Sequence, residues 1–279
     1  MNQWTIKSLL GVIQPEAFKI GPITIYWYGI IIMVGMILAI TLSQREAEKF
    51  ALPDDFMIDL SFIAIPLGIV GARIYYVLFE LPYYMAHPEE IIRIWEGGLA
   101  IYGGVLAGAA VSYFYAKKKR VPFLFLLDML APHLLLAQGI GRWGNFVNQE
   151  AHGAEVSLSF LKKLHLPEWM IQQMNIDGIY YHPTFLYESI WNIIGFVLIY
   201  VFRLKKEWLL RGEAFYSYCI WYGVGRFFIE GMRTDSLYIG SLRISQLVSL
   251  VMVLFGIFSL VKRRYFTLIT PPYYSEGIK

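Results

Sequence analysis

Cysteine is almost missing from this chain: the one copy, Cys219, stands inside an apolar run. A single cysteine excludes an internal disulfide framework, a zinc site of paired cysteines and a CxxC redox pair. Cys219 itself reads as a small packed side chain. Charge is scarce as well. Only 16% of the 279 residues are charged, against about 25% in an ordinary soluble domain. Neither sign dominates, and a formal net charge of +3 gives no basis for a nucleic-acid partner. There is no phosphate-binding GxxxxGK[ST] loop and no HExxH helix, so neither a metal nor an organic cofactor is expected. The first 20 residues lack the basic end, apolar core and small-residue site of a cleavable signal peptide. No internal repeat or low-complexity tract is visible.

What the chain has instead is apolar surface. Hydrophobic residues make up 57% and aromatics 17%, with a mean hydropathy of +0.50. Such a chain cannot cover itself with polar side chains, which points to an all-α integral membrane protein forming a single domain over 1–279. Seven apolar segments approach the roughly 20 residues that a helix needs to cross the hydrocarbon. They lie at about 24–42, 56–78, 99–116, 122–140, 184–203, 213–230 and 243–261. Pro183 opens the fifth, as proline suits the first turn of a helix.

Basic residues sort the loops. Arg45 and Lys49 follow the first segment, Lys117, Lys118, Lys119 and Arg120 the third, and Arg203, Lys205, Lys206 and Arg211 the fifth. Lys262, Arg263 and Arg264 follow the seventh, whereas Arg93 stands alone after the second. The positive-inside rule then places the N-terminus outside and the C-terminus in the cytoplasm. The long loop 151–183, with "VSLSFLKKLHLPEWMIQQM", falls outside. It is either a segment lying flat on the outer leaflet or a small cap. The tail "TPPYYSEGIK" reads as a frayed cytoplasmic end.

Charged residues inside membrane segments are costly and mark functional sites. With this orientation Tyr28, Arg73, Tyr102, Arg142, Glu188, Arg226 and Glu230 all fall at one level, just under the outer surface. Tyr222, Arg226 and Glu230 are spaced i, i+4, i+8 and share a helix face, with Arg233 following. An Arg226–Glu230 pair that only fastens helices is the plainer alternative. Snorkelling serves equally for Arg73, and aromatic-belt roles for Tyr28 and Tyr102. Asp128 and His133 read as a polar pair of the bundle.

The string "GRWGNFVNQE" at 141–150 is the densest polar stretch beside an apolar segment. Arginine's planar fork matches phosphate oxygens, Asn145 and Asn148 offer amide donors and acceptors, and apolar helices match acyl chains. The simplest ligand is an anionic phospholipid with its phosphate on Arg142 and Arg226. A transferase, a phospholipid transporter or scramblase, and a lipid-binding scaffold all remain open to that chemistry. Charges gathered at one surface without a repeat count against transport, whose sites favour the midplane.

These strings resemble one family. "GRWGNFVNQE" is similar to the Gly-Arg-x-Gly-Asn-Phe-x-Asn-x-Glu signature of prolipoprotein diacylglyceryl transferases. "WYG" at 27–29, "GARIYYVLF" at 71–79, "WEGGLAIYGG" at 95–104, "HPTFLYE" at 182–188 and "YGVGRFFIEGMR" at 222–233 match further pieces in family order. The resemblance implies a bacterial cytoplasmic-membrane enzyme of seven spans with its site toward the outer leaflet. It implies movement of the diacylglyceryl group of phosphatidylglycerol to the lipobox cysteine of a prolipoprotein signal peptide, with release of glycerol phosphate. Carried over by position, Arg142, Asn145, Glu150 and Gly153 form one essential group, and Tyr222, Arg226, Glu230 and Arg233 another. Tyr28 and Arg73 match further polar positions. Tyr102 departs from the pattern, because many members have a histidine there that is favoured as general base. An ordinary tyrosine, with a pKa of about 10, is a poor base. Either an arginine activates Tyr102, or the base is elsewhere (Glu230 is one option), or the position orients lipid.

Overall fold

A computed structural model of the protein describes residues 12–205, 208–236, 238–240 and 242–266. Lys206 and the tail 270–279, both used in the topology argument, lie outside the described residues. The chain divides into two compact units, one drawn from residues 1–39 and 128–275, the other mainly from 40–127.

The first unit opens with a hairpin, β1 (Glu16–Ile20) against β2 (Ile23–Tyr26). Gly21 turns it at a φ of +59°, a left-handed conformation that glycine adopts without a Cβ clash. Helix α1 (Trp27–Lys49) follows at once, so Tyr28 sits in its first turn. The other long helices of this unit are α5 (Phe123–Asn148), α8 (Thr184–Leu204), α9 (Glu213–Met232) and α10 (Ile244–Phe266). The second unit is built on α2 (Phe56–Phe79), a short α3 (Leu81–Ala86) and α4 (Ile101–Lys118). Each of the seven apolar segments therefore lies on a long helix. Five of these, α1, α2, α5, α8 and α10, are long and apolar enough to cross a membrane. α9 carries Glu213, Arg226 and Glu230 within 20 residues, and α4 has only 18 residues, ending in Lys117 and Lys118.

The apolar side chains turned outward explain why such helices need lipid. Phe62 on α2 is 75% exposed and Phe258 on α10 is 66% exposed. Exposed apolar rows of this extent fit hydrocarbon and not water. Polar contacts hold the inner faces. On α8 and α9, Trp191 and Trp221 stack at 4.4 Å, and each indole N–H donates to the other's backbone carbonyl at 2.9 Å. In the second unit α2 and α4 touch at Gly71 and Gly103, where a β-carbon on Gly103 would come within 2.4 Å of the Gly71 carbonyl oxygen.

Two sequence expectations change in detail. Pro183 is the residue before the first turn of α8, and its carbonyl accepts from Leu186 N–H at 3.0 Å. Asp128 does not simply face His133. Its carboxylate accepts from the backbone N–H groups of Gly212 and Phe215, capping α9 from across the unit, while His133 Nδ1 lies 2.8 Å from the Met129 carbonyl.

Between α5 and α8 the loop is folded. It holds α6 (Leu158–Lys163), α7 (Glu168–Gln173) and a three-stranded antiparallel sheet in which β5 (Ile179–Tyr181) lies between β3 (Glu155–Val156) and β4 (Asn175–Ile176), next to one another in the order β3-β5-β4. Leu161, Met170, Ile171 and Met174 pack on Phe146 and Val147 of α5 and Phe185 of α8. The fully buried Gln173 donates to the carbonyls of Phe146 and Val147 at 3.3 and 3.1 Å. Those carbonyls lie in the last turn of α5, where the regular i+4 ladder runs out; that of Phe146 also accepts from Gln149 N–H at 3.2 Å. The loop thus fixes the end of α5 that carries "GRWGNFVN".

Candidate active site

α5 does not stop where its apolar run stops. It continues through Asn148, and Gln149 then ends it in the left-handed region at a φ of +55°. Arg142 and Asn145 are therefore helical neighbours at i, i+3, and Arg142 Nη1 donates to Asn145 Oδ1 at 3.2 Å. Asn145 Nδ2 in turn donates to Glu150 Oε1 at 2.8 Å.

From Arg142 the network crosses to α8. Arg142 Nη2 lies 3.0 Å from Glu188 Oε1, and Arg226 Nη1 of α9 lies 3.4 Å from Glu188 Oε2. Arg226 Nη2 pairs with Glu230 Oε2 one turn on, at 2.6 Å. Glu188 and Glu230 are both buried. The result is one chain of opposite charges over three helices: Glu230, Arg226, Glu188, Arg142, Asn145, Glu150. The two arginines and two buried glutamates balance in formal charge. A buried carboxylate is tolerated only when paired in this way. Arg142 keeps its buried Nε–H without a partner among the described residues, so its fork is not used up.

The other residues of the first unit gather at the same end. The ring of Tyr28 lies so close to Gly144 that a β-carbon there would meet it at 2.7 Å. Asn148 holds a buried Oδ1 with no partner among the described residues. Tyr222 stacks on Tyr218 one turn before Arg226, with ring centroids 5.7 Å apart. Gly153 pairs with Arg233 in a backbone bridge, and its N–H donates to the His182 carbonyl at 3.1 Å. A β-carbon on Gly153 would come within 2.7 Å of His182 Cβ, so only glycine lets these strands approach. Arg233 holds Asp235 in a bidentate pair at 2.9 and 2.8 Å. That hydrogen bond keeps the Asp235 carboxyl below its ordinary value. Burial works against the Arg233 charge, but Asp235 outweighs it and the guanidinium pKa is raised. Burial also lowers the pKa of the His182 imidazole.

Arg73 and Tyr102 belong to the second unit. Arg73 is buried and donates to the carbonyls of Glu90, Ile91, Gly97 and Gly98 at 2.7 to 3.0 Å. It ties down the loop that leads into α4. Tyr102 follows that loop as the second residue of α4 and is half-buried.

The sequence motifs thus supply two groups of residues, and the fold joins them through Glu188, to which sequence reasoning had given a level but no role. Its signals were an acid one turn into an apolar helix and its place at the end of "HPTFLYE".

A family model described as prolipoprotein diacylglyceryl transferase matches residues 15–262. The chain belongs to the prolipoprotein diacylglyceryl transferase family. It is 53% identical over 258 residues to the phosphatidylglycerol–prolipoprotein diacylglyceryl transferase of Ligilactobacillus salivarius (strain UCC118), covering 92% of this chain and 96% of that relative. It is 52% identical over 248 residues to the proteins of the same name from Bacillus cereus (strain Q1) and Bacillus anthracis (strain CDC 684 / NRRL 3495), covering 89% of this chain and 91% of each.

Proposed function

We propose that the protein transfers the diacylglyceryl group of phosphatidylglycerol to the thiol of the lipobox cysteine in prolipoprotein signal peptides, the first step of bacterial lipoprotein maturation. The thiolate sulfur attacks the glyceryl carbon that bears the phosphate ester. A carbon–sulfur bond forms, the carbon–oxygen bond breaks, and glycerol phosphate leaves with the bonding electrons. A thiol with an ordinary pKa near 8.5 reacts only after losing its proton, and the leaving phosphate gains charge that must be stabilised.

The observation that carries this proposal is the charge chain itself. Glu188 and Glu230 hold Arg142 and Arg226 in fixed orientations before any lipid arrives, which is the preorganisation that stabilises developing charge. The phosphate docks on the N–H groups the arginines have left, beginning with Arg142 Nε. Asn145, Asn148 and Glu150 border the phosphate, and Tyr28 covers it from α1. Tyr222 and Glu230 position Arg226, while Gly153 and Arg233 fix the strand beside it. Arg73 shapes the loop before Tyr102, and Tyr102 orients donor lipid or acceptor thiol. Cys219 has no part, because the acceptor cysteine comes from the substrate.

In this account all seven long helices cross the bacterial cytoplasmic membrane. The N-terminus and the 151–183 cap lie outside, the C-terminus lies in the cytoplasm, and the site faces the outer leaflet. α4 and α9 cross despite their lower hydropathy because neighbouring helices cover their polar faces. The test is donor lipid with Arg142→Lys. Lysine keeps the charge but not the fork, so transfer falls by about 100-fold or more. Wild-type transfer in that variant would remove the phosphate clamp.

A further inference from the structure

One turn along the same helix faces, the charged layer gives way to a neutral one. Gln138 precedes Arg142 by four residues on α5, and Asn192 follows Glu188 by four on α8, so each lies on the face of its charged neighbour. The two helices touch at this depth: Ser189 Oγ donates to the Gly139 carbonyl at 2.8 Å. Asn192 is 1% exposed, yet neither its Oδ1 nor its Nδ2 has a partner among the described residues. Gln138 Nε2 donates to Tyr218 Oη at 3.0 Å, and its buried Oε1 is left unpartnered.

Buried amides without partners are expensive, and they are kept where something else pairs with them. We infer that Asn192 and Gln138 form a recess for the vicinal hydroxyls of the glycerol headgroup and so select phosphatidylglycerol as donor. This rests on the transfer reaction proposed above. The recess offers two acceptors and one amide donor and carries no formal charge. A diol can donate to both acceptors and accept from the amide, whereas an ammonium headgroup would be buried without a counter-charge. The distance fits as well. The recess lies about one helical turn, about 5.4 Å, from the arginine layer, comparable to the reach of a three-carbon headgroup from its phosphate. Phosphate and headgroup leave together as glycerol phosphate, so the two layers would hold the leaving group as one unit.

The experiment compares two donors in the purified full-length protein: phosphatidylglycerol, and the analogue with a propanol headgroup, which keeps the phosphodiester and lacks both hydroxyls. The wild type is expected to favour phosphatidylglycerol by about 100-fold or more in kcat/KM, because a site built for a hydroxyl rejects the analogue without it. Asn192→Leu is expected to lower kcat/KM for phosphatidylglycerol and leave the propanol donor within about threefold, so the preference collapses. Gln138→Met should lower the preference in the same direction, and it decides the matter if the leucine variant does not fold. A wild type indifferent to the hydroxyls would overturn the inference. So would equal losses on both donors, the mark of a structural amide or a bound water. Absence of any transfer from phosphatidylglycerol by the wild type would instead overturn the reaction on which this rests.

Discussion

Glu188 is the residue on which the site turns. Among the described residues it is the carboxylate that bridges Arg142 and Arg226, and losing one partner from a buried ion pair costs about 3–5 kcal/mol. Glu188→Ala is therefore expected to lower thermal stability and transfer together. Glu188→Gln, which keeps hydrogen-bonding atoms, should recover much of the stability but less of the transfer. A differential scan beside a turnover assay reads both; a fully active Glu188→Ala enzyme would show that the arginines need no such anchor. Arg142→Ala should abolish transfer while the chain still folds, since Glu188 keeps Arg226. Arg142 and Arg226 were legible in the sequence because charges in apolar runs are rare and their motif is specific. The role of Glu188 was not, because its two partners come from other helices. Arg73 shows the same limit. Its charge stands out in "GARIYY", but the four carbonyls that hold it leave no trace in side-chain identity.

The helices were readable because apolar periodicity and hydropathy are local properties. Their ends were less so. The apolar run of α5 suggests a stop near residue 140, yet the helix runs to Asn148. Backbone hydrogen bonding carries it past the point where the side chains become polar, and so places Arg142 and Asn145 inside the helix. The strands of 151–183 are two or three residues long, too short for an alternating pattern, so a folded cap stood level with a flat segment. Two tests belong to these elements. Asp128→Ala removes the acceptor of two N–H groups at the start of α9, that of Gly212 buried and that of Phe215 partly buried. It is expected to cost about 2 kcal/mol or more of stability, read by thermal unfolding, with Asp128→Asn costing less. At the Gly153 bridge, Asp235 gives a pH signature. Its carboxyl is held low in the folded chain, so its contribution is present above the ordinary aspartate range and lost as pH falls through the lower folded value. The stability difference between wild type and Asp235→Asn should be flat above about pH 5 and fade only in stronger acid. A difference that vanished near neutrality would contradict the pair. It should also be small, because Asp235 is half exposed.

For the molecule as a whole, topology and chemistry are separable. Cys219 is buried, so a second cysteine can be read against a quiet background. An impermeant maleimide should label His165→Cys from outside intact cells, and Lys118→Cys only after the membrane is opened. The reverse pattern would invert the orientation and move the arginine chain to the wrong leaflet. The reaction itself is settled with the purified protein in detergent, phosphatidylglycerol, and a lipobox peptide carrying either cysteine or serine at the acceptor position. Mass spectrometry of the peptide should show a diacylglyceryl gain on cysteine alone, matched by released glycerol phosphate. Lipid that binds without any gain on cysteine, in the wild type and again in Tyr102→His, would contradict transfer and return the protein to the lipid-binding or transport readings.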